Sequence, residues 1–548
     1  MKQDQPSEIV RKILIQRGLL EASDIEAFLN PSYDAHLADP FLMTDMNPAV
    51  ERIIAAIQAG ETIVIYGDYD IDGITASAVM LETIADLGGS ATSYIPDRFE
   101  EGYGINLAAL KKLKSQGVGL VISVDCGITS VKEARWAAKN GLDLIITDHH
   151  SVPEVIPDAV AVINPKRPDD EYPFKDLAGV GVAFTLARAL QSTTGKPEMG
   201  QEKWLLDLVA LGTVCDVVTL VGENRVLAKY GLMVMNKTRR EGIKALAEVS
   251  GVIGEISSYH LGFVFGPRMN AAGRLEHAAR SLELIMTNNA QRAQEIALEL
   301  DALNRRRRTD QDRILEAASK QAELYSDDSI LVLAAEDWSH GIVGIVASKL
   351  VERWRKPTLI MQIMGDTTKG SARSLGDFNL VKALQAVKDN FIKFGGHHYA
   401  AGYTLETVRI DQLRQDLNAY AISIGLKGPM EVVAGFDLEL PDLRDLGWDL
   451  LADLQKMEPF GNANPKPRFF TADLKVVDLR WVGQQKNHLK LSLADQFGRR
   501  LSGIGFDLLA KQSQLAVGSR INAIFQLDRN DFNGSSSLQI IVHDIIEQ

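Results

Sequence analysis

The stretch TIVIYGDYDIDG, residues 62–73, places a short apolar run directly before three acidic side chains. Its first five residues are β-branched or aromatic, a composition typical of a buried strand. Asp68, Asp70 and Asp72 follow at the point where that strand would end. The stretch therefore predicts a strand that presents carboxylates at its carboxyl end.

Acidic and histidine side chains also follow two later apolar runs. Asp125 follows LVISV, and Asp148, His149 and His150 follow LDLIIT. The carboxyl ends of parallel strands meet at one edge of a sheet, which is where ligands bind. Carboxylates gathered there repel one another unless a cation lies among them. The pattern therefore predicts a divalent-metal site and, with it, hydrolytic chemistry.

Strand-like and helix-like segments alternate between residues 62 and 165. This repeated β–α–β order predicts an α/β fold with a doubly wound sheet of buried parallel strands. We expect strands at 62–66, 91–95, 120–124, 142–147 and 161–163, and helices at 77–87, 106–116 and 130–140.

The rest of the chain divides into three regions. A mainly helical region covers 181–321, and its last part, 290–321, has neither Gly nor Pro, which predicts one long helix. A second α/β region begins near residue 330 and contains glycine-marked turns at 370–374 and 395–398. The last region has strand-like segments spaced as in a small oligonucleotide-binding (OB) barrel. They lie at 468–482, 488–493, 499–506, 520–528 and 537–546.

Length and composition limit the class of protein. A chain of 548 residues is too long for one core, so we expect about two to four domains. The formal net charge of -13 argues weakly against a nucleic-acid partner, but bound cations would offset clustered acids. We see no apolar signal region and no run of about 18 apolar residues, and therefore expect no membrane span. The two cysteines, Cys126 and Cys215, suit a reducing cytoplasm.

The acids and histidines can be assigned to two cations. Carboxylates with one or two imidazoles favour Mn2+ or Mg2+. A pair of such cations needs one bridging carboxylate, for which we predict Asp125. We expect Asp70, helped by Asp68, to hold one cation. We expect the second cation to be held by Asp72, His149 and Asp216.

Two further side chains of this group are predicted to act in the reaction itself. His150 is expected to donate a proton to the leaving oxygen or to stabilise the charge that develops there. Asp148 is expected to orient His149. An isolated Asp-x-Asp or His-His pair is usually structural, but recurrence at three strand ends favours the metal site.

At this point the chain resembles a known family. The motifs GDYDIDG (67–73) and DHH (148–150) are similar to those of the DHH phosphoesterase superfamily. Further motifs narrow the resemblance to its bacterial single-strand-specific exonucleases. These motifs are GTVCDVV (212–218), GPRMNAAGR (266–274), HGIVGIVAS (340–348) and GGHHYAAG (395–402).

The resemblance implies 5′ to 3′ removal of mononucleotides from single-stranded DNA, with two divalent cations, in recombination and repair. It implies metal ligands at Asp70, Asp72, Asp125, His149 and Asp216. The expected partners are single-stranded DNA with a 5′ end, a single-strand-binding protein and a helicase, and the expected state is a monomer. The expected domains are an N-terminal segment (1–45), a DHH-type parallel-sheet catalytic domain (46–289), a long connecting helix (290–325), a second α/β domain of the DHHA1 type (326–430) and an OB-like nucleic-acid-binding barrel (431–548).

Several side chains are candidates for holding phosphates. Arg268 and Arg274 flank Asn270 in a turn-rich motif, where they would bind phosphates or form a structural ion pair between domains. Ser371 and Arg373 are expected on a loop after a strand, and the resemblance implies that they bind the terminal 5′ phosphate.

The resemblance also implies that Arg98 helps to form this phosphate pocket. Other candidates carry two interpretations each. His340 and His397 would line the same cleft or pack structurally, and Tyr103 would stack on a base or cover the core. Barrel residues that would contact DNA, or simply be solvated, are Trp481, Lys486, Lys490, Arg499 and Arg500.

Two rival functions remain open at this point. A phosphodiesterase acting on cyclic dinucleotides or short oligonucleotides would use the same metal motifs, but such enzymes usually lack the barrel and the complete arginine motif. A non-catalytic replication scaffold would retain the fold but is expected to have lost a ligand, and the sequence shows no such loss.

Overall fold

The structure, a computed structural model, describes residues 6–98, 101–430, 435–483, 488–506, 515–532 and 535–547. The chain forms two units. One comprises residues 1–266, 285–288 and 434–548, and the other comprises residues 267–284 and 289–433. No helix among the described residues is long and apolar enough to cross a membrane.

The apolar runs of the first unit form a parallel sheet, which confirms the predicted α/β fold. Its strands are β1 (Ile63–Gly67), β2 (Ala91–Tyr94), β3 (Leu120–Val124), β4 (Asp143–Thr147) and β5 (Ala161–Ile163). Their spatial order is β2-β1-β3-β4-β5, and every neighbouring pair is parallel. β1 and β3 are buried throughout, as their unbroken apolar sequences require. Parallel pairing brings the carboxyl ends of these strands to one edge.

Helices make up most of the remaining first unit up to residue 266. They are α1 (Glu8–Gln16), α2 (Ala22–Leu29), α3 (Tyr33–His36), α4 (Met46–Ala59), α5 (Ile71–Asp86), α6 (Leu107–Ser115), α7 (Val131–Lys139), α8 (Gly179–Thr194), α9 (Leu206–Cys215), α10 (Gly222–Met235) and α11 (Glu241–Val249), followed by the π-helix His260–Phe265. Short 3-10 turns lie at Pro40–Leu42 and Gln201–Leu205. α5 packs against both α8 and α9.

Helix α5 begins well before the predicted residue 77. Oδ1 of Asp70 accepts hydrogen bonds from the backbone N–H groups of Asp72 (2.9 Å) and Gly73 (3.2 Å). An aspartate in this position satisfies the unpaired N–H groups of a first helical turn. Asp72 is therefore placed by a helix and not by a loop.

The second unit contains a helical part and a mixed sheet. Its helices are α12 (Gly266–Leu275), α13 (Ala279–Met286), α14 (Ala290–Leu324), α15 (His340–Trp354), α16 (Leu380–Ala386) and α17 (Ile410–Ser423). Its strands are β6 (Leu331–Ala335), β7 (Thr358–Met364), β8 (Thr367–Arg373), β9 (Lys393–Gly396) and β10 (Ala400–Glu406), in the order β6-β7-β8-β10-β9, with 3-10 turns at Lys388–Asn390 and Thr407–Arg409. The long helix α14 confirms the prediction for 290–321.

Two local predictions in this unit are wrong. Ser371 and Arg373 lie in strand β8, which pairs with β7 and β10, and not on a loop. Ladder hydrogen bonds to both neighbours outweigh the weak strand propensity of small residues. Arg268, Asn270 and Arg274 lie on helix α12 and not in turns.

The C-terminal region forms the predicted barrel. Its elements are the short strand β11 (Leu438–Glu439), helix α18 (Trp448–Gln455) and the strands β12 (Phe469–Val482), β13 (His488–Ala494), β14 (Arg500–Gly505), β15 (Arg520–Phe532) and β16 (Ser535–Glu547). Strand β12 pairs with both β13 and β15, and β14 pairs with β16, so five strands close a barrel. This closure is the OB-like architecture expected from the sequence.

The N-terminal helix α1 packs into the core of this barrel. Val10, Ile13 and Leu14 share one apolar cluster with barrel residues such as Phe469 and Phe525. The backbone N–H of Ser7 donates to Asp453 Oδ2 at 3.0 Å, and Arg17 forms an ion pair with Asp437 at 2.7 Å. The first helix and the last domain of the chain therefore form one packed body.

Candidate metal centre and active site

Three carboxylates from different elements converge on the ring of His149. Its Nε2 lies 3.1 Å from Asp125 Oδ1, 3.6 Å from Asp216 Oδ2 and 3.8 Å from Asp72 Oδ2. Asp125 follows β3, His149 follows β4, Asp72 lies in the first turn of α5, and Asp216 ends α9. The parallel sheet thus brings residues far apart in sequence to one point.

A second group of ligand atoms shares one member with this cluster. Oxygens of Asp68, Asp70 and Asp125 lie within 4.8 Å of one another. Atoms of Asp72, His149 and Asp216 satisfy the same limit. Asp125 belongs to the first group and lies beside His149 of the second, so it stands between two clusters of possible ligands.

The unsatisfied atoms of the cluster fit a cation site. Within the described part of the chain, Oδ1 of Asp68, Oδ1 of Asp125 and both ring nitrogens of His149 are buried without a hydrogen-bond partner. Buried polar atoms without partners are costly and rare. Carboxylate oxygens and an imidazole are the donors that Mn2+ and Mg2+ accept, so the residues present fit divalent cations.

Burial and mutual repulsion raise the pKa values of these acids. Burial, followed by the charge of Asp70, raises the pKa of Asp72 to about 7. Burial, followed by the charge of Asp72, raises the pKa of Asp216 to about 9. The pKa values of Asp68 and Asp125 are raised for the same reasons, burial first. Cations would remove this electrostatic cost.

We expect this cost to appear as a pH-dependent loss of stability when metal is removed. A carboxyl group whose pKa is raised on folding binds more protons in the folded state, so folding stability falls as pH rises between the two pKa values. For Asp216 the pH window extends from its pKa in the unfolded chain, about 4, to its pKa in the folded protein, about 9. In chelator, the Asp216→Asn variant should gain stability over the parent, by at least about 1 kcal/mol across this window.

Urea unfolding of the parent and Asp216→Asn at pH 5, 7 and 9 measures this difference. Saturating Mn2+ provides the control, because it should reverse the order of stability in favour of the parent. A difference in chelator that stays constant with pH would contradict the prediction.

The backbone at Asp125 occupies a left-handed conformation with φ 59°. Aspartate and asparagine tolerate this region better than most residues. The Asp125 N–H donates to Thr147 O at 3.0 Å, which continues the ladder between β3 and β4. The strand end therefore fixes the direction of this carboxylate, at a conformational cost that is usual in functional sites.

The Asp148 carboxylate holds the ring of His150 and not, as the sequence suggested, the ring of His149. Its Oδ1 lies 2.8 Å from His150 Nδ1 and also accepts the backbone N–H groups of His149 (2.7 Å) and His150 (3.0 Å). Burial lowers the pKa of His150, but the hydrogen bond and charge of Asp148 outweigh it, so the pKa is raised. Burial and then the charge of His150 lower the pKa of His149 to about 3, which keeps that imidazole neutral.

Tyr103 lies at the same site. Its hydroxyl is 3.1 Å from His150 Nδ1 and 3.5 Å from the carbonyl oxygen of Asp125. The side chain is 50% exposed, so one part of the ring remains open to solvent. Arg98, another predicted site residue, places its guanidinium 5.1 Å from the centre of the Tyr69 ring.

Two residues of the site were missed in the sequence. Asn164 is fully buried and donates from Nδ2 to the carbonyl oxygen of His150 at 3.0 Å. The charge of Lys166 acts on both His149 and Asp216. Both residues follow β5, so the strand-end rule that identified the acids would have found them as well.

In the second unit, four predicted phosphate-binding residues gather around the start of α15. A Cβ added at Gly344 would lie 3.2 Å from Arg373 Nη2 and 3.3 Å from Ser371 Oγ. Arg274 Nη1 donates to Gly341 O at 3.1 Å. His340, the first residue of α15, donates its backbone N–H to Gln362 Oε1 at 2.9 Å.

The remaining candidates of the second unit, Arg268, Asn270 and His397, have contacts elsewhere in that unit. Arg268 Nε forms an ion pair with Asp301 of the same unit at 2.9 Å, and Asn270 lies on the same helix as Arg268. His397 is exposed, and its backbone N–H donates to Ala400 O at 2.8 Å.

The barrel candidates are spread over several elements. Trp481 lies in β12, Lys490 in β13 and Arg500 in β14. Arg499 Nη2 donates to Leu446 O at 2.9 Å, which engages part of its guanidinium within the fold. Lys486 lies outside the described residues.

Three family models match this chain. Residues 62–213 match the DHH family N-terminal domain, residues 327–423 match the DHHA1 domain, and residues 436–544 match the RecJ OB domain. The first match contains Asp72, Asp125 and His149 and ends within α9, three residues before Asp216, and the last match covers the barrel.

Similar proteins extend over nearly the whole chain. The single-stranded-DNA-specific exonuclease RecJ of Bacillus subtilis is 39% identical over 540 residues, which cover 98% of this chain and 67% of that protein. The protein of the same name from Escherichia coli is 33% identical over 99% of this chain and 97% of its own. The crystal structure of RecJ from Thermus thermophilus with Mn2+ superposes with a TM-score of 0.83 at 29% identity, over 98% of this chain and 75% of that one.

Proposed function

Because the chain belongs to the RecJ family of single-stranded-DNA-specific exonucleases, we propose that it degrades single-stranded DNA from the 5′ end to mononucleotides in recombination and repair. The cluster of Asp72, Asp125, His149 and Asp216 is the observation that carries this proposal. Related RecJ proteins have been crystallised with Mn2+ and with Mg2+, which supports these cations as cofactors here.

The ligand groups would bind two cations at neighbouring positions. Asp68 and Asp70 would hold one cation, Asp72, His149 and Asp216 the other, and Asp125 would bridge them. When bound, the cations would lower the pKa of a water molecule and offset charge on the phosphate. Neutral His149 offers a lone pair, because its pKa lies far below neutral pH.

His150 is suited to protonate the leaving oxygen. Its Nδ1 is held by Asp148, so Nε2 is the ring nitrogen that remains for the substrate. The raised pKa keeps a larger fraction of the imidazole protonated near neutral pH, as a general acid requires. Tyr103 supports the ring from its edge, at a centroid distance of 5.6 Å.

The 5′ to 3′ direction of cleavage would come from a pocket that accepts one terminal phosphate. Ser371 and Arg373 lie against the start of α15, where Arg274 and His340 are also placed. A hydroxyl and guanidinium groups beside a helix N-terminus form a favourable phosphate site. We assign this pocket to the 5′ phosphate.

Replacing Arg373 with alanine should reduce cleavage of 5′-phosphorylated single strands by about tenfold or more, because a charge-assisted hydrogen bond to phosphate is lost. Cleavage of 5′-hydroxyl strands should change much less, and Mn2+ affinity should not change. Rates on the two substrates, measured side by side, test this. Arg373→Lys is the matched control: it keeps the charge and loses the fork geometry, so its effect should be intermediate. An unchanged ratio of the two rates would refute the pocket.

Digestion of end-labelled oligonucleotides tests the function as a whole. Single-stranded DNA should be shortened from its 5′ end with Mn2+ or Mg2+, duplex DNA should resist, and chelator should stop both reactions. Shortening from the 3′ end would overturn the polarity, and equal digestion of duplex would overturn the strand preference.

The match to the RecJ OB domain favours the nuclease over a cyclic-dinucleotide phosphodiesterase. A complete ligand cluster likewise disfavours a non-catalytic scaffold. We further propose that the enzyme works as a cytoplasmic monomer with a single-strand-binding protein and a helicase. Light scattering of the purified chain and pull-down with those proteins test these points.

A further inference from the structure

The start of helix α8 is directed at a metal-site carboxylate. The backbone N–H groups of Gly179 and Val180 donate to Asp72 Oδ2 at 2.6 Å and Oδ1 at 2.7 Å. The first N–H groups of a helix have no partner within the helix, so Asp72 satisfies two of them. The Asp72 side chain is almost fully buried, so these bonds fix how it faces the cluster.

Gly179 also lies against a second metal-site carboxylate. A Cβ at this position would lie 2.6 Å from Asp125 Oδ1, 2.7 Å from its Cβ and 2.8 Å from its Cγ. These separations are too short for real atoms. Gly179 is not among the residues with positive φ, so its backbone conformation would accept alanine. The close approach to Asp125 is therefore the feature of this position that requires a residue without a side chain.

Asp125 cannot move aside freely. Its backbone N–H is bonded to Thr147 O, which holds the residue at the end of β3, and its φ of 59° lies in a narrow allowed region that leaves the backbone little room to rotate. A methyl group at position 179 must therefore displace either Asp125 or the start of α8. The second movement would weaken both hydrogen bonds to Asp72. Either movement changes the separation of Asp72 and Asp125.

We propose that Gly179 is a positioning residue that sets the distance between Asp72 and Asp125 and thereby the divalent-metal affinity of the site. The inference rests on the proposed function in one respect, that the cluster binds divalent metal. It assigns a role to a residue that offers no ligand atom and lies outside the strand ends.

Gly179→Ala tests the proposal, and Gly181→Ala is its matched control. Gly181 lies on the same helix and is also buried, but a Cβ there would meet the flexible side chain of Leu177 at 3.2 Å. Both variants should give a cooperative thermal unfolding transition in chelator, near that of the parent. Isothermal titration with Mn2+ should show affinity reduced by about tenfold or more for Gly179→Ala, the usual effect of disturbing support for metal ligands. Gly181→Ala should bind Mn2+ as the parent does.

The titrations distinguish a wrong role for Gly179 from a wrong proposed function. A folded Gly179→Ala variant with parental Mn2+ affinity would overturn the role of Gly179. A parent that does not bind Mn2+ would instead overturn the proposed function. If Gly179→Ala shows no cooperative transition in chelator, the same titration on Gly212→Ala decides. A Cβ there would lie 2.3 Å from Thr75 Oγ1, 2.8 Å from Val180 Cγ1 and 3.0 Å from Asp72 Oδ1, so it would press on both Asp72 and the residue of α8 that donates to it. Parental affinity in that variant would refute positioning by close glycine contacts.

Discussion

Replacing Asp125 with asparagine should lower the rate of single-strand cleavage by at least about a thousandfold. The carboxylate stands between the two ligand groups, and an amide has no charge with which to hold both cations. A thousandfold loss corresponds to about 4 kcal/mol of transition-state stabilisation, within the several kcal/mol that metal ions provide to hydrolysis. Single-turnover rates on a 5′-phosphorylated oligonucleotide with Mn2+ would measure the loss.

The same substitution should make the metal-free protein more stable. Asparagine keeps the shape of the side chain and tolerates the left-handed backbone at this position. It also removes one of several buried charges that raise one another's pKa values. The melting temperature in chelator should therefore rise while activity disappears. Normal turnover by this variant would refute the bridging role, and a lower melting temperature would refute the electrostatic argument.

Replacing His150 with alanine should lower the cleavage rate by about a hundredfold to ten-thousandfold, the range in which a positioned general acid contributes. The pH–rate profile gives a more specific signature. The parent should lose activity as pH rises through the pKa of His150, because the imidazolium is the active form. The variant should lack that alkaline decrease. Rates from pH 6 to 9 with saturating Mn2+ measure both effects.

Two controls separate proton donation from metal binding. Tyr103→Phe removes the hydroxyl that lies 3.1 Å from His150 and keeps the ring, so its rate should fall only slightly. Mn2+ affinity of His150→Ala should stay near that of the parent. A loss of affinity that accounts for the loss of rate would show that His150 acts as a ligand and not as an acid.

The strand ends were predictable because the sheet is parallel. Apolar runs before Asp68, Asp125 and Asp148 identify buried strands, and parallel pairing brings the residues after each run to the same edge of the sheet. The barrel was predictable for a similar reason, since its strands alternate and are separated by turn residues. In both cases a local pattern is sufficient to place distant residues.

The features that could not be predicted depend on contacts between distant segments. Nothing near Gly179 in the sequence shows that its N–H donates to Asp72, which lies 107 residues earlier. The strand at Ser371 and Arg373 is stabilised by its two neighbours and not by its own propensity. Asp148 contacts the ring of His150 and not that of His149, and this depends on the backbone path after β4, which side-chain type does not reveal.

The packing of α1 into the barrel has a consequence for synthesis on the ribosome. Ser7 finds its partner Asp453 only after 446 further residues have been added. At about 5–20 residues per second, that delay is roughly 20–90 s. During this time the apolar face of Val10, Ile13 and Leu14 has no barrel to cover it. On the nascent chain, this face of α1 therefore stays without its folded-state cover until the barrel has been synthesised.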